Sequence, residues 1–342
     1  MAKLKVAIVG RHAARTPFSY HVYRQLLGEF FDFVEDAYKA DVIVVGFSVD
    51  LDSITVNYPG LIKDNPHIQF FVFSEEPLWD CLSPNAMDCV EQKWHTAEGI
   101  INFKVFNHLN SEVFNFEKIP YFLTTESSYI ARYLIMYKQL LQAHNAKSLL
   151  EYWQSKGNAV HFVQQQRLQA KYGFYNPQLN VYGLSKFRSL LCEGLSKDDA
   201  SVDAQSVASN CVRQDLPDWH LDKIIRLRGK TSFLSAMENT LIRNYITEKI
   251  FDAFAVGAMP VYYADQAHRI FELVDASTFI NLYGLSVPES VELLKCHKFN
   301  LEQAERYLDK VQSLHSRFRH FEILHSERQS VVKKVCKAIL SA

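Results

Sequence analysis

The sequence predicts an α/β protein made of two facing Rossmann-like domains with a cleft between them. In its first third, short apolar runs alternate with polar or helix-like segments, which is typical of a parallel sheet covered on both faces. The same alternation begins again after Gly157, and 342 residues are enough for two domains of roughly 150 residues each. In such sheets ligands lie beyond the carboxyl ends of the strands, so the loops that follow strands are the candidate sites.

The predicted N-terminal domain covers residues 1–156. Its strand candidates are the apolar runs KVAIVG, ADVIVVGF, HIQFFVFSEEP, GIINFKVFNH and IPYFLT, and a helix-like segment, YHVYRQLLGEFF, follows the first of them. Residues 128–156 keep an apolar stripe at helical spacing and are predicted to form a helix. The Gly157-Asn158 pair then breaks the pattern and marks the domain boundary.

The predicted C-terminal domain covers residues 157–325. AVHFVQQ, TSFLSAME, PVYYA and STFINL are its strand candidates, the polar stretch 196–210 is predicted to be an exposed loop, and SVPESVELLKCH opens a helix. Residues 326–342 form a basic amphipathic helix. We favour its packing back on the N-terminal domain, and peripheral contact with a membrane is the alternative.

Composition excludes several classes of function. Lys and Arg number 37 against 38 Asp and Glu, so the chain lacks the basic excess of a nucleic-acid-binding protein. The six cysteines are scattered with no C-x-x-C pair, which indicates reduced thiols in a cytosolic protein. No apolar run is long enough to cross a bilayer, and neither a zinc-hydrolase motif nor a phosphate-binding Walker loop occurs.

A lysine at a predicted helix start is the most unusual local feature. Thr247 is a suitable N-cap, Glu248 then occupies the first helical position, and Gly257 is placed to end the helix. Lys249 therefore lies at the electropositive end, where a cation is disfavoured. A bound phosphate would account for it, since anions bind at helix starts. The alternative is a solvated lysine offset by Glu248, which helix chemistry alone favours.

The surrounding segment FLSAMENTLIRNYITEKIFDAFAVGAMPVYYA resembles the donor-binding signature of the α-1,3/4-fucosyltransferases, glycosyltransferase family ten. The clear resemblance covers residues 158–295, and a thinner one covers residues 68–125, where FFVFSEEP is similar to the family's Glu-Ser-Pro region. The positions that carry the signature are Phe233, Glu238, Asn239, Thr240, Tyr245, Ile246, Thr247, Glu248, Lys249, Gly257 and Pro260.

This resemblance implies a GT-B fold and an inverting enzyme. Its C-terminal domain would bind GDP-fucose without a divalent metal or other cofactor, and its N-terminal domain would face the acceptor. L-Fucose would pass to a hydroxyl of a GlcNAc-containing oligosaccharide or lipopolysaccharide, giving an α-1,3 or α-1,4 linkage. The enzyme would be cytoplasmic, with the inner-membrane surface as a further location, and no metal ligands are expected.

The resemblance also assigns catalytic roles. Glu75 aligns with the family's catalytic glutamate and is expected to be the general base. Adjacent side chains of an extended chain face opposite ways, so Glu76, which precedes Pro77, is expected to be structural. Glu248 would accept hydrogen bonds from sugar hydroxyls or stabilise the developing ring cation.

The same resemblance assigns the donor-binding residues. Lys249 and Arg167 would stabilise the departing diphosphate in place of a metal. Asn239 offers its amide to the nucleotide, and Tyr245 lines the sugar pocket. Glu238 joins this set by resemblance, and its chemistry also suits a structural anchor of the loop.

Two alternatives stay open. The donor sugar is a different GDP-6-deoxyhexose, since the motif specifies GDP more closely than it specifies fucose. Alternatively, the protein binds a GDP-sugar without catalysis, because the motif around Glu75 is degenerate. The sequence leaves the acceptor, the linkage and the oligomeric state undetermined.

Overall fold

The fold was examined in a computed structural model, which describes residues 2–83, 85–195, 200–202 and 216–341. The chain forms two compact units. Unit 1 comprises Met1–Ser127 together with Leu324–Ala342, and unit 2 comprises Ser128–Ile323. The chain therefore begins in unit 1, forms unit 2, and returns to unit 1. The units divide at Ser127, whereas the domain boundary was predicted after residue 156.

Unit 1 contains a six-stranded sheet in the order β2-β1-β3-β4-β6-β5. All neighbouring pairs are parallel except β5 with β6, which is an antiparallel edge pair. Strands 2-1-3-4 follow the doubly wound pattern, in which the chain reverses direction across the sheet between β1 and β3. The strands are β1 Leu4–Ile8, β2 Phe31–Phe33, β3 Val42–Val45, β4 Gln69–Phe73, β5 Glu91–Thr96 and β6 Gly99–Phe106.

Both faces of this sheet are buried. Val42 and Val44 of β3 point to one core cluster, and Ile43 and Val45 point to another, as the two-residue period of a strand requires. The unit's helices are α1 His21–Leu27, α2 Ile54–Asn57, α3 Leu61–Asp64, α4 Pro77–Cys81, α5 Tyr121–Thr124 and α14 Phe321–Leu340.

The basic C-terminal helix α14 completes one face of unit 1. Its side chains Val331, Val335 and Ile339 are almost fully buried in the core cluster that also contains Phe71 and Phe73. The apolar face of the helix is therefore covered by the unit's own sheet. No helix in the described part of the chain is long and apolar enough to span a membrane.

Unit 2 contains a five-stranded parallel sheet in the order β10-β7-β11-β13-β14. In chain order this is 2-1-3-4-5, so the direction reverses between β7 and β11. Its strands are β7 Val160–Phe162, β10 Ala200–Val202, β11 Phe233–Ser235, β13 Met259–Tyr262 and β14 Ile280–Asn281. A small antiparallel sheet is formed by β8 Tyr175–Asn176, β9 Val181–Gly183 and β12 Thr240–Leu241.

The first two helices of unit 2 explain where the units divide. The Tyr137 hydroxyl donates to the Phe251 carbonyl at 3.1 Å, and the Trp153 indole donates to the Gly257 carbonyl at 2.8 Å. These buried contacts tie residues 128–156 to unit 2. The helices of the unit are α6 Ser127–Ala143, α7 Ala146–Lys156, α8 Ser185–Gly194, α9 Trp219–Leu227, α10 Lys249–Val256, α11 Ile270–Leu273, α12 Val287–Cys296 and α13 Leu301–Phe318.

Three predicted elements differ from the structure. The run IPYFLT forms helix α5 rather than a strand, and it begins directly after Pro120, whose ring fixes a backbone angle suited to a helix start. The single helix predicted over 128–156 is two helices, because Asn145 starts the second with a capping box. The polar stretch 196–210 lies outside the described residues except for 200–202, which form strand β10 rather than a loop.

Candidate active site

The predicted donor residues gather at the carboxyl edge of the unit 2 sheet. Arg167 follows β7, and Glu238 and Asn239 follow β11, so these residues flank the point where the strand order reverses. Open parallel sheets bind their ligands at this point, because the loops that leave it run in opposite directions and leave a crevice. Topology thus supports the position that the sequence motif predicts.

Glu238 is a buried anchor for this loop. Its carboxylate accepts hydrogen bonds from the Thr247 backbone N–H at 2.7 Å and from the Thr247 hydroxyl at 2.9 Å. It also forms an ion pair with Lys249, with 2.7 Å between Nζ and Oε2. A buried carboxylate with charge-assisted and backbone donors is well satisfied. Glu238 therefore joins the strand-end loop to the start of helix α10.

The lysine at the helix start is explained in part by this pair. Lys249 is the first residue of α10, and Gly257 ends the helix in the left-handed conformation, as predicted. Its ammonium group donates to Glu238 and, at 2.8 Å, to the Thr247 hydroxyl. An ammonium has three N–H donors, and two of them serve these contacts among the described residues. The Lys249 side chain is 24% exposed, so the third N–H can reach a ligand.

The predicted N-cap differs by one residue. Glu248 occupies the N-cap position with helical backbone angles and makes no side-chain capping bond. The Thr247 hydroxyl, predicted to cap the helix, instead bonds to Glu238 and Lys249. The Glu248 carboxylate turns to Lys223, with 3.4 Å between Nζ and Oε1. The backbone donors of this helix start are consequently not capped by Thr247.

Arg188 is a candidate site residue that sequence reasoning missed. It lies in α8, is almost fully buried, and donates through Nη1 to the Met237 carbonyl at 2.7 Å. Burial lowers the pKa of Arg188 to about 10, although the nearby carboxylate of Glu238 acts in the opposite direction. The positive charge of Arg167 lowers that pKa further.

Arg167 itself lies in the loop after β7 rather than in a helix. Its backbone N–H donates to the Ser189 hydroxyl at 2.8 Å, and its guanidinium lies 5.1 Å from the centre of the Tyr172 ring. Ser189 follows Arg188 directly in helix α8, so this contact holds the loop beside Arg188. The structure thus brings the predicted arginine and the missed one to the same side of the crevice.

Buried polar atoms without hydrogen-bond partners cluster around this loop. Within the described chain, Asn239 Oδ1 is a buried acceptor that receives no hydrogen bond, and Arg188 Nε is a buried donor that makes none. Buried polar groups are nearly always paired, so such atoms indicate a ligand or water site. The Thr240 and Tyr262 hydroxyls share this property within the same described region. Tyr245, predicted to line the sugar pocket, is buried.

Glu75, the predicted base, follows β4 at the carboxyl edge of the unit 1 sheet and is completely buried. Its Oε1 accepts hydrogen bonds from Arg15 Nε at 2.5 Å and from the Tyr20 hydroxyl at 2.7 Å. Its Oε2 accepts from the Tyr121 hydroxyl at 3.2 Å. Every donor to this carboxylate among these contacts is a side chain. Burial raises the pKa of Tyr121 well above its usual value, and the charge of Glu75 adds to that shift.

Glu76 lies beside Glu75 and forms different contacts. Its Oε1 pairs with Arg15 Nη2 at 2.7 Å, and its Oε2 accepts from the Trp79 indole at 2.8 Å. Arg15 thus bridges the two glutamates, and its side chain is 37% exposed. Glu76 holds both Arg15 and Trp79 in position, which is a structural contact of the kind predicted for it.

A second polar pair, also missed from the sequence, lies where the unit 1 sheet reverses between β1 and β3. His12 Nδ1 lies 2.8 Å from Asp50 Oδ1, and the His12 backbone N–H donates to Asp50 Oδ2 at 3.1 Å. Gly10 permits this approach, since it has a φ of +99° and an added Cβ would lie 2.7 Å from the Asp50 Cβ.

In the described residues no group of three His, Cys, Asp or Glu side chains is arranged to hold a metal ion.

Comparison with known proteins identifies the second half of the chain. Residues 184–341 match the family model described as Glycosyltransferase family 10 (fucosyltransferase) C-term. This range contains Arg188 and the whole segment from Glu238 to Lys249, whereas Glu75 and Arg167 lie outside it. No curated protein is significantly similar in sequence.

Several solved structures are similar at low identity. A crystal structure of an alpha1,3-fucosyltransferase has 12% identity and a TM-score of 0.42, and the match covers 91% of this chain and 80% of that one. A second, of alpha1,3-fucosyltransferase with GDP-fucose, has 12% identity and a TM-score of 0.36 over 96% and 83% of the two chains. Anabaena Alr3699/HepE in complex with UDP and glucose has 9% identity and a TM-score of 0.38 over 99% and 100%.

The family model, the parallel α/β sheets and the donor motif agree with one another. The assignment rests on the sequence match, because structural likeness at these scores carries no separate weight. Residues 184–341 match the C-terminal domain of glycosyltransferase family ten, the fucosyltransferase family, and this match supports a glycosyltransferase.

Proposed function

We propose that this protein transfers L-fucose from GDP-fucose, with inversion at the anomeric carbon, to a hydroxyl of a GlcNAc-containing acceptor glycan. One observation carries the donor half of the proposal. Three cations and several unpaired buried polar atoms surround the strand-end loop of a family-ten domain, at the sheet's reversal point. The acceptor class, an α-1,3 or α-1,4 linkage to an oligosaccharide or lipopolysaccharide, is proposed from the family resemblance alone, as is a cytoplasmic location.

The diphosphate is proposed to bind between Lys249 and the two arginines. Lys249 keeps one N–H for a ligand at the electropositive start of helix α10. Arg167 and Arg188 repel each other, and an anion placed between them would relieve that repulsion. Together these groups supply the charge stabilisation that a divalent metal provides in other transferases. We therefore propose that the donor binds and reacts without a metal cofactor.

The sugar and nucleoside are proposed to be recognised by the neighbouring polar groups. Glu248 would accept hydrogen bonds from sugar hydroxyls or stabilise positive charge on the ring as the bond to GDP breaks. Asn239 contributes its unpaired Oδ1 to a donor group of the nucleotide. Tyr245 contributes a wall of the pocket rather than an exposed contact, since it is buried.

The general base is proposed to be Glu75. A base must lie within hydrogen-bond reach of the proton that it removes, and in this state the carboxylate is enclosed. Its donor Tyr20 is partly exposed, and its other donors are Arg15 and the buried Tyr121. We propose that the acceptor hydroxyl takes the place of Tyr20 on Oε1. The proton then passes to Glu75 as the hydroxyl oxygen attacks the anomeric carbon and GDP leaves.

The enclosure of Glu75 also favours a second candidate, a protein that binds a GDP-sugar without catalysis. In that case Glu75 serves only to hold Arg15, Tyr20 and Tyr121. The two candidates share the donor site and differ in turnover. A transferase for another GDP-6-deoxyhexose differs only in the sugar that Glu248 recognises.

The donor site is tested by measuring GDP affinity calorimetrically in buffer containing a metal chelator. Lys249→Gln removes one charge-assisted contact to the diphosphate, so we expect GDP binding to weaken about 10- to 100-fold. Lys230→Gln is the matched control, because Lys230 is exposed in the turn before β11 and is expected to leave GDP affinity unchanged.

Tight GDP binding by the wild type, with the same affinity in Lys249→Gln, would contradict this placement of the diphosphate. Loss of wild-type binding in chelator, restored by Mg²⁺, would contradict the metal-free proposal. Transfer is tested separately by an acceptor screen with GDP-fucose and related GDP-sugars, in which the linkage of the product is determined by NMR. If GDP-fucose were the poorest donor, the sugar assignment would be wrong.

A further inference from the structure

A network of buried charged side chains contacts Glu248 and Asp252 at the start of helix α10. Its centre is Lys223 of helix α9, whose side chain is 8% exposed. The Lys223 ammonium lies 3.4 Å from Glu248 Oε1 and pairs closely with Asp252 Oδ2. Glu248 and Asp252 lie four residues apart, so both carboxylates project from the same face of α10. Lys223 therefore bridges the two acids.

Two further side chains of the network fix the Asp252 carboxylate. Asp252 Oδ1 accepts from the Tyr133 hydroxyl at 2.7 Å and from His220 Nε2 at 2.7 Å. His220 Nδ1 lies 2.9 Å from Arg132 Nη1, and a guanidinium can only donate. His220 Nδ1 must then accept, which places the imidazole hydrogen on Nε2, directed at Asp252. Asp252 is thus held from two sides besides Lys223.

The charge state of Asp252 follows from these contacts. Burial alone would raise its pKa, but the charge of Lys223 and the hydrogen bond from His220 outweigh burial, so the pKa lies below its usual value. The buried Tyr133 keeps its proton, since burial and the charge of Asp252 raise its pKa well above the usual range. Asp252 is therefore an anion whose position is fixed by Tyr133 and His220, and its ion pair fixes the position of Lys223.

The pair of Glu248 with Lys223, at 3.4 Å, is longer than the 2.7 Å contacts around Asp252. Without the ammonium, two carboxylates one helical turn apart would face each other in a buried site, and they would repel each other strongly. Lys223 contacts both carboxylates and offsets this repulsion. The ammonium therefore contributes to the orientation of Glu248.

We propose that Lys223 is a positioning residue that aims the Glu248 carboxylate at the sugar of the bound donor. It acts through Glu248 and does not itself touch the ligand. The network of Asp252, His220 and Tyr133 fixes the ammonium, and the ammonium fixes Glu248. This inference rests on the proposed function, in that Glu248 is the residue that recognises the sugar of a GDP-sugar.

The test compares the affinities of GDP-fucose and GDP, measured by calorimetry in the absence of acceptor. The ratio of the two affinities isolates the contribution of the sugar from that of the diphosphate. Lys223→Met is expected to lower the relative affinity for GDP-fucose about tenfold, the effect of losing one charged hydrogen bond, and to leave GDP affinity unchanged. Glu248→Gln is expected to change the ratio by a similar factor.

A double-mutant cycle tests whether Lys223 acts through Glu248. In a Glu248→Gln background, Lys223→Met should produce no further change in the ratio. Equal effects of Lys223→Met in both backgrounds would overturn the proposal, and so would equal weakening of GDP and GDP-fucose. Arg226→Met is the matched control, because Arg226 lies on the same helix and its ion pair is with Asp222 instead. It is expected to leave the ratio unchanged.

A charge-balanced variant serves if Lys223→Met does not fold. Lys223→Met with Asp252→Asn removes one cation and one anion together, so the buried site gains no uncompensated charge. It should still lower the GDP-fucose to GDP ratio, and an unchanged ratio would overturn the proposal. The failure of the proposed function itself looks different, because wild-type protein would then bind neither GDP nor GDP-fucose.

Discussion

The two units each place a buried glutamate at the carboxyl edge of a parallel sheet and pair it with a partly exposed cation. Glu75 pairs with Arg15 in unit 1, and Glu238 pairs with Lys249 in unit 2. The partners of the two acids differ in kind. Glu238 accepts from a backbone N–H as well as from side chains, and its donors among the described residues lie within eleven positions of it. Glu75, in the same described part of the chain, accepts from side chains that are 46 to 60 residues away in sequence.

This difference in donors makes Glu238 a fixed anchor, whereas a hydrogen-bond donor of Glu75 can be exchanged. Replacing a donor to Glu238 would require the loop to leave the start of helix α10, because one donor is the backbone of Thr247. A donor to Glu75 is replaced by turning one side chain, such as Tyr20, without moving any backbone. The proposed role of Glu75 as general base requires such an exchange with a substrate hydroxyl, whereas the contacts of Glu238 hold Lys249 in place. Glu75 and Glu238 are both buried, but their hydrogen-bond donors differ in how easily they can be replaced.

The largest expected effect is on turnover. Glu75→Gln keeps the size of the side chain but removes its ability to take a proton, so we expect kcat to fall about 100-fold or more. GDP affinity should be unchanged, since the proposed diphosphate contacts all lie in unit 2. Glu76→Gln is the neighbouring control and should lower kcat far less. Comparable losses in the two variants would mean that Glu75 is a structural residue, as Glu238 is.

The next effect is on stability. Glu238→Gln removes the charge that satisfies Lys249 and the Thr247 donors, so we expect the free energy of unfolding to fall by about 1–3 kcal/mol. Glu75→Gln should cost less, because Arg15 is more exposed and keeps Glu76 as a partner. Urea denaturation of both variants measures the difference. A larger loss for Glu75→Gln would reverse the assignment of anchor and exchangeable group.

The third effect is a contrast in pH dependence. Burial raises the pKa of Asp80, near Glu75, to about 8, although the Ser74 hydroxyl donates to it, whereas Lys223 helps to lower the pKa of Asp252. The native state holds the Asp80 proton more tightly than the unfolded state does. Its contribution to stability is therefore complete below an ordinary aspartate pKa and is lost as pH rises toward 8, by at most about 1.4 kcal/mol per pH unit.

The ionisation of Asp252 makes stability depend on pH in the opposite direction. Its native pKa is lowered, so its contribution is present above the ordinary aspartate pKa and is lost as the solution is acidified through the native value. Asp80→Asn should consequently make the protein more stable than wild type at pH 8 and change it little at pH 4. Thermal unfolding at the two pH values measures this. A variant equally destabilised at both would show that Asp80 is ionised throughout the range.

The donor loop could be predicted from sequence because its parts are close together in the chain. Glu238 and Lys249 are eleven residues apart, and their spacing is itself the family signature. The strands were predictable as well, since buried parallel strands are continuous apolar runs. Strand β5 was missed because its side chains alternate between partly exposed and exposed, which gives no apolar run.

The contacts of Glu75 could not be predicted in the same way. Arg15, Tyr20 and Tyr121 come from three separate segments, and only the order of strands in the sheet brings them to one carboxylate. Arg188 did leave a signal. It lies on the buried face of helix α8 with Leu191, and a charged residue on an apolar face indicates a specific partner or ligand.

Helix α14 has a consequence for the order in which the protein is made. Its buried valines complete a sheet whose strands are encoded by the first 106 residues, and Glu327 accepts hydrogen bonds from the backbone N–H groups of residues 117–119. A ribosome releases α14 only after all of unit 2 has been synthesised. Unit 1 therefore emerges first with one apolar sheet face only partly covered, and its core is completed last, when residues beyond 324 are synthesised.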